Sequence, residues 1–278
     1  MVLKEAIAYY VNNGSSVYCT MLAFYVNNGT TVYFTMLDAT KPFDRVEYCK
    51  LFRLLVSRDL PSAWLRLLLN IYTNSSTSIA WNGICSAMFL VEHGVKQSWA
   101  MSPILFCIYL DALLNLLATA RIVCFIGRIF VGCLAYAHGR LAPTTGAMRN
   151  MLAICDSFAK DYNLVLNANK SKWSLFGNTG HWFNKVDFYV CGNIIEQEHE
   201  WPHLGPIVSD ECNDASDILN RKHSLCGQIN NVICYFSNRN SVVKQSLMTA
   251  YCCSLYGCEL WDLSHPGVQN VCTAWKMG

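Results

Sequence analysis

Apolar positions along the chain change period several times, and each change marks a predicted element. Tyr48, Leu51, Phe52 and Leu55 follow the i, i+3, i+4, i+7 spacing of one helical face. Pro61 ends that run, and Trp64, Leu65, Leu68 and Tyr72 predict a second helix behind it. Ser102-Pro103 predicts another helix start, with the serine hydroxyl as N-cap and proline at the first helical position. The stretch VGCLAYAHGRLAP, from Val131 to Pro143, reads as a strand, a turn and a second strand, with His138-Gly139 at the tip. Met148, Leu152, Cys155, Ala159 and Tyr162 predict an amphipathic helix capped by Thr145. KVDFYVCGNIIEQ predicts a small hairpin turning at Gly192-Asn193. Two further helical stripes follow, Ile218, Leu225, Ile229, Val232, Phe236 and then Val243, Leu247, Ala250, Tyr251. The order is mixed strand and helix over 1–180 and a hairpin with mostly helix over 181–278, with a soft boundary near Gly180.

A tandem repeat stands at the start. AYYVNNGSSVYCTML (Ala8 to Leu22) is followed directly by AFYVNNGTTVYFTML (Ala23 to Leu37). The copies differ only at Tyr9/Phe24, Ser15/Thr30, Ser16/Thr31 and Cys19/Phe34. A unit this short, present twice, cannot stack into a solenoid, so a local duplication within 8–37 is the simpler account. The second copy runs into Asp38; the first ends where the second begins.

Composition narrows the class. With 278 residues, 53% hydrophobic and 14% charged, the chain is an apolar globular protein long enough for one large domain or one domain and a smaller one. A net charge of +2 gives no basic footprint of the kind nucleic-acid binders usually carry. The apolar run from Ile104 to Tyr136 is interrupted by Asp111, Asn115, Arg121 and Arg128, so a membrane span is not expected. Met1 to Tyr10 holds Lys4 and Glu5 and no signal-peptide core, which points to an intracellular chain in cytoplasm or nucleus. The 15 cysteines fall mostly inside apolar runs and are expected as buried free thiols in a reducing compartment. Cys191, His199, His203 and Cys212 are too loosely spaced for a zinc site, and core cysteines with surface histidines are the expectation. Trp173, Trp201 and Trp261 are expected in cores rather than stacked on bases.

Asp38 ends an apolar strand and Asp44 opens the next helical stretch. A carboxylate there either holds a metal at a rigid strand end or caps the helix. The surrounding words decide. FTMLDATKPFDRV resembles the first catalytic motif of reverse transcriptases, and GVKQSWAMSP (Gly94 to Pro103) resembles the second. LAYAHG resembles the third, where the family carries Tyr-Ala-Asp-Asp. LNANKSKWSLFG resembles the lysine-bearing fourth segment, and HLGPIVSD the short strand beyond it. Their order and spacing are similar to the non-LTR, LINE-type retrotransposon enzymes of the jockey kind, across nearly the whole chain.

The resemblance implies an α/β fold (the α+β polymerase palm), with a small antiparallel sheet covered by helices and a mostly helical thumb-like segment after it. It implies RNA-directed DNA synthesis on an RNA template from a DNA primer, with two Mg2+ ions held by carboxylates about 4 Å apart. It assigns Asp38 as the first metal ligand and Phe43 as the aromatic beneath the incoming sugar. It further assigns Gln97 to the nucleotide pocket and Lys170 to face the leaving group. His138 and Gly139 occupy the positions of the two hairpin aspartates. Imidazole is a poor magnesium ligand and glycine is none, so the implied expectation is an inactive copy. Ser98-Trp99 stands where the family has small residues, and the indole is expected to obstruct the pocket; Pro42 replaces an alanine and removes a backbone donor. No basic fingers strands and no endonuclease precede Lys4, so the palm is expected to be truncated. Two alternatives are residual RNA or DNA affinity without polymerisation, and an unrelated apolar membrane or structural protein.

Overall fold

The computed structural model describes residues 29–97, 99–122, 124–126, 129–130, 133–134, 139–177, 186–202, 206–211, 213–238, 240–252, 255, 258 and 261–277. The first repeat copy (8–22), His138, His203 and Cys212 lie outside the described residues. Two compact units emerge. One contains the described residues of Tyr33–Trp173 and Trp182–Gln197; the other contains those before Tyr33 and those of Ser174–His181 and Glu198–Gly278. The fold is mixed α and β, as the motifs imply.

The first unit is organised on a six-stranded sheet. In chain order its elements begin with β1 (Val32–Ala39), a short 3-10 turn (Pro42–Arg45), α1 (Tyr48–Val56) and α2 (Ser62–Thr73). Four two-residue strands follow: β2 (Ser76–Thr77), β3 (Ala80–Trp81), β4 (Ile84–Cys85) and β5 (Phe89–Leu90). Then come α3 (Ser102–Ala120), β6 (Phe125–Ile126), β7 (Ile129–Phe130), β8 (Cys133–Leu134), β9 (Gly139–Ala142) and α4 (Thr145–Asp161). The unit closes with β10 (Leu166–Phe176), β11 (Phe188–Val190) and β12 (Asn193–Gln197). The main sheet has the order β11-β12-β10-β1-β9-β8, which makes β1 and β10 central.

Strand β1 is almost continuously buried from Val32 to Phe34 and again at Leu37, the pattern of a strand covered on both faces. Helix α4 presents Met148, Met151, Leu152, Cys155 and Ala159 to β9 and β11, and the Thr35 hydroxyl donates to the Met148 sulfur at 3.0 Å. Helix α3 packs on α1 and α4 through Leu105, Tyr109, Leu113 and Leu117. By length and composition α3 could cross a membrane, a test that buried core helices also pass. Each fully buried leucine of this layer contributes about 1.5–3 kcal/mol of transfer free energy.

Several sequence expectations shift by small amounts. The α4 cap is Thr144, not Thr145: its hydroxyl accepts the Ala147 amide at 3.1 Å. Ser102 is the first helical residue rather than the cap, and its hydroxyl donates instead to the Lys96 carbonyl. The hairpin of β11 and β12 turns at Cys191-Gly192, both at positive φ, one residue earlier than expected. Trp64 is exposed, so the inward stripe of α2 is Leu68 and Tyr72.

The second unit pairs β13 (Glu200–Pro202) with β14 (Ile207–Ser209), then adds α5 (Ala215–Tyr235), α6 (Ser241–Leu247) and α7 (Pro266–Met277). Its core is Ile218, Leu225, Ile229, Val232, Trp261 and Val271. Gly267 lets α7 approach α5: a Cβ there would come within 2.9 Å of the Ile218 side chain. Trp173, Trp201 and Trp261 are all buried in cores, as expected.

Candidate functional site: three strands around Asp38

Asp38 sits half-buried near the C-terminal end of β1, where the buried strand meets the surface. Its backbone N–H donates to Ser171 Oγ at 3.0 Å, and that hydroxyl donates to the Asn167 carbonyl at 2.7 Å. Two residues on, the Thr40 amide donates to the Val165 carbonyl at 2.8 Å. Strand β10 therefore fixes the backbone on which the carboxylate is carried. Ser171 is fully buried, and sequence reasoning passed over it in favour of Lys170. The signal was present: in K-S-K, strand alternation turns both lysines one way and the serine the other. Lys170 is exposed, while Lys172 reaches Glu196 at 2.5 Å and holds that carboxyl below its usual range.

On the other side of β1 lies β9. Its register pairs Met36 with Gly139 and Thr35 with Arg140, which sets Gly139 two ladder positions from Asp38. Gly139 opens β9, is buried, and also pairs with Leu134 of β8. Asp38, Gly139 and Lys170 thus lie on three adjacent strands, brought together from positions scattered along the sequence. Burial pushes the Cys133 thiol up to about 11, against the opposing pull of Arg140, and raises the Cys155 thiol likewise. These cysteines stay protonated and behave as small apolar groups rather than nucleophiles.

The segments that carry Phe43 and Gln97 are joined by backbone pairing. The Val95 amide donates to the Phe43 carbonyl at 2.8 Å and the Gly94 amide to the Val46 carbonyl at 2.9 Å. Gly94 has φ +90°, and a Cβ there would lie 3.0 Å from Asp44 Cα, so only glycine allows this approach. Gln97 Nε2 donates to Asp44 Oδ1 at 3.1 Å. The Phe43 ring lies on Phe106 of α3, with centroids 4.6 Å apart and planes 30° from parallel. Phe106 was not singled out in the sequence, although its place on the buried stripe of α3 was legible. The Trp99 indole packs edge-on against Tyr72 at 5.9 Å, so it has a seat on α2. Pro42 stands at the first position of the 3-10 turn, where an N–H would have no intrahelical partner, and its lost donor costs little.

The donor chemistry around Asp38 suits a pair of divalent cations poorly. Gly139 brings no side chain, Asp44 is engaged by Gln97, and Asp111 pairs with Arg58. Among the described residues no group of three or more His, Cys, Asp or Glu side chains is placed to hold a metal ion. His199 pairs with Asp210 at 2.7 Å, and Cys191 donates its amide to Asp156 at 2.9 Å.

Residues 8–208 match the family model described as Reverse transcriptase (RNA-dependent DNA polymerase). The chain is 28% identical over 197 residues to a Retrovirus-related Pol polyprotein from a type-2 retrotransposable element of Drosophila melanogaster, covering 66% of this chain and 18% of that protein. It is 20% identical over 237 residues to a Probable RNA-directed DNA polymerase from transposon X-element of the same species, covering 82% of this chain and 25% of that protein. It therefore spans a quarter or less of the length of these relatives. With the matched region covering most of the sequence and the three motif strands adjacent in one sheet, the chain belongs to the reverse transcriptase family.

Proposed function

We propose that this chain is a retrotransposon reverse transcriptase palm that no longer polymerises. The observation that carries the reading is the glycine at position 139, set on the strand beside Asp38 where the family's third motif delivers a carboxylate. His138 precedes it in sequence, leaving Asp38 as the one motif carboxylate. The family's divalent metals supply the charge that stabilises attacking and leaving oxygens; this chain's donor set does not fit them. Losing that stabilisation costs several kcal/mol, or at least about a thousandfold in rate.

Within the reading, 1–180 is the palm and 181–278 the thumb-like region, with β11 and β12 joined to the palm's sheet. Phe43 and Gln97 line the nucleotide side, and Lys170 faces where a pyrophosphate would leave. The partners are an RNA template and a DNA primer inside the cell, with any remaining affinity being electrostatic and falling steeply with salt.

Primer extension on an RNA template tests the reading. The unaltered chain is expected to give no product at any magnesium concentration. Reverting His138→Asp with Gly139→Asp, and then also Ser98→Gly with Trp99→Gly, asks whether carboxylates alone were lost. Robust extension by the unaltered chain would overturn the reading.

A further inference from the structure

The tandem repeat over 8–37 has no role in the polymerase reading. Its second copy supplies β1, the strand that lies between β10 and β9 in the main sheet. What that place demands of a strand is set side chain by side chain. Val32, Tyr33, Phe34, Thr35 and Leu37 are all buried. The Tyr33 ring packs edge-on against Phe188 at 5.8 Å and tilted against Trp173 at 6.4 Å. The Thr35 hydroxyl reaches the Met148 sulfur of α4, and Met36 is paired with Gly139 of β9. Just upstream, a Cβ on Gly177 would meet the Thr30 carbonyl oxygen at 2.9 Å, so the chain passes that glycine at close range.

The first copy meets nearly all of these demands. Val17, Tyr18, Thr20, Met21 and Leu22 are identical to Val32, Tyr33, Thr35, Met36 and Leu37. Ser15 and Ser16 stand for Thr30 and Thr31, whose atoms nearest Gly177 belong to the backbone, which serine supplies equally. Register is kept too, because each copy puts the same residues on the same face. One difference matters to packing: Cys19 stands for Phe34, which is 2% exposed. A thiol in a space shaped by a phenyl ring leaves a cavity, which favours the second copy by about a hundredfold or more. Loop closure acts in the same direction. With the first copy in the sheet, the 15 residues of the second must loop out before the chain continues. That loop costs about a further twentyfold.

We propose that the chain holds two interchangeable first strands, and that Val17–Leu22 takes the place of Val32–Leu37 between β9 and β10 in a minor form of about one molecule in a thousand. The exchange alters the site as well as the strand. Asp38 follows Leu37, whereas Ala23 follows Leu22, so the exchanged form carries a methyl group at the position of the carboxylate. The bond to Ser171 survives, since it is made by a backbone amide that alanine also has. The duplication thus gives one sequence two registers, and Phe34 selects the one that presents Asp38. Because β1 is an inner strand, exchange requires the sheet to open, and the two forms interconvert slowly. The proposal stands independently of whether the palm polymerises.

Amide exchange read by mass spectrometry on the full chain tests it. Cys19→Phe removes the packing difference and leaves the loop, so about one molecule in twenty is expected to protect 17–22 and exchange freely at 32–37, as a separate mass population. Cys19→Phe with Phe34→Cys inverts the packing difference, and about four molecules in five are then expected in the exchanged form. The cysteine introduced at position 34 is expected to react with iodoacetamide in those molecules. Three results would each overturn the proposal: a double variant that keeps 32–37 protected and its new cysteine unreactive, protection of both copies in the same molecules, or protection of 17–22 that rises with protein concentration and so places the strand in another copy. If the double variant loses its circular dichroism signal, Cys19→Phe decides alone, since a 17–22 population below about one in a hundred also rules the exchange out.

Discussion

In the sheet unit, Asp38 lies half-buried near the end of β1, and its backbone amide donates to Ser171 Oγ at 3.0 Å. In the helical unit, Asp217 is 2% exposed and both its oxygens are engaged. Oδ1 accepts the Ile207 amide at 2.8 Å, Oδ2 accepts Trp261 Nε1 at 2.7 Å, and Arg221 Nε lies 3.7 Å away. Two aspartates of the same chain therefore stand in opposite surroundings. A carboxylate whose lone pairs are saturated by the protein is structural, because any ligand would have to displace bonds made at low dielectric. Asp38, by contrast, is anchored through its backbone amide and lies only half-buried. The sheet unit fixes Asp38 by its backbone, and the helical unit shows what a carboxylate looks like when its oxygens serve the fold.

That contrast breaks most sharply at Asp217. Replacing it with alanine strands a buried indole N–H, a backbone N–H and a guanidinium at once, for an expected loss of about 3–5 kcal/mol. Urea unfolding followed by tryptophan fluorescence measures it, and a loss under about 1 kcal/mol would mean that water replaces the carboxylate.

Alkaline pH should strike the sheet unit first. Burial pushes the Tyr109 hydroxyl, fully enclosed between α1 and α4, up to about 12 from its ordinary 10.0. The sign follows from proton counting. Below about pH 10 both states keep the proton; above it the unfolded chain releases a proton that the folded chain retains. Stability is thus fully present below that pH and is lost as pH rises toward 12, by roughly 2–3 kcal/mol. Cys133 adds a similar loss beginning near its ordinary 9.0. Tyr109→Phe should flatten the upper part of the slope in urea midpoints taken across this range. An unchanged slope would place the alkaline sensitivity elsewhere.

The smallest effect belongs to Asp38. Its substitution by alanine leaves the Ser171 bond to the backbone in place, so stability should change by less than about 0.5 kcal/mol. A melting temperature well below that of the unaltered chain would show that this carboxylate, too, is structural, and would erase the distinction between the two aspartates.

Local pattern carried much of this molecule. The helical stripes over Tyr48–Leu55 and Met148–Ala159 appear where their periodicity placed them, because a single inward face is enough to define a helix. Cap positions slipped by a residue at Thr144 and Ser102, since neighbouring hydroxyls compete on equal terms until the tertiary contacts are set. Ser171 and Phe106 were missed for a different reason. Their inward placement was legible from strand alternation and the helical stripe, but each acts on a partner distant in sequence, Asp38 and Phe43, and only the tertiary structure sets that pairing.

The sequence by itself determined the family, the order of the motif residues and the absence of the hairpin aspartates, because these depend only on which side chains are present. The tertiary structure alone decided that Gly139 and Ser171 flank Asp38 from opposite sides and that Trp99 rests on Tyr72. Strand neighbourhood and burial are properties of chain segments far apart in sequence, fixed by sheet register and close packing, and no stretch read in isolation contains them.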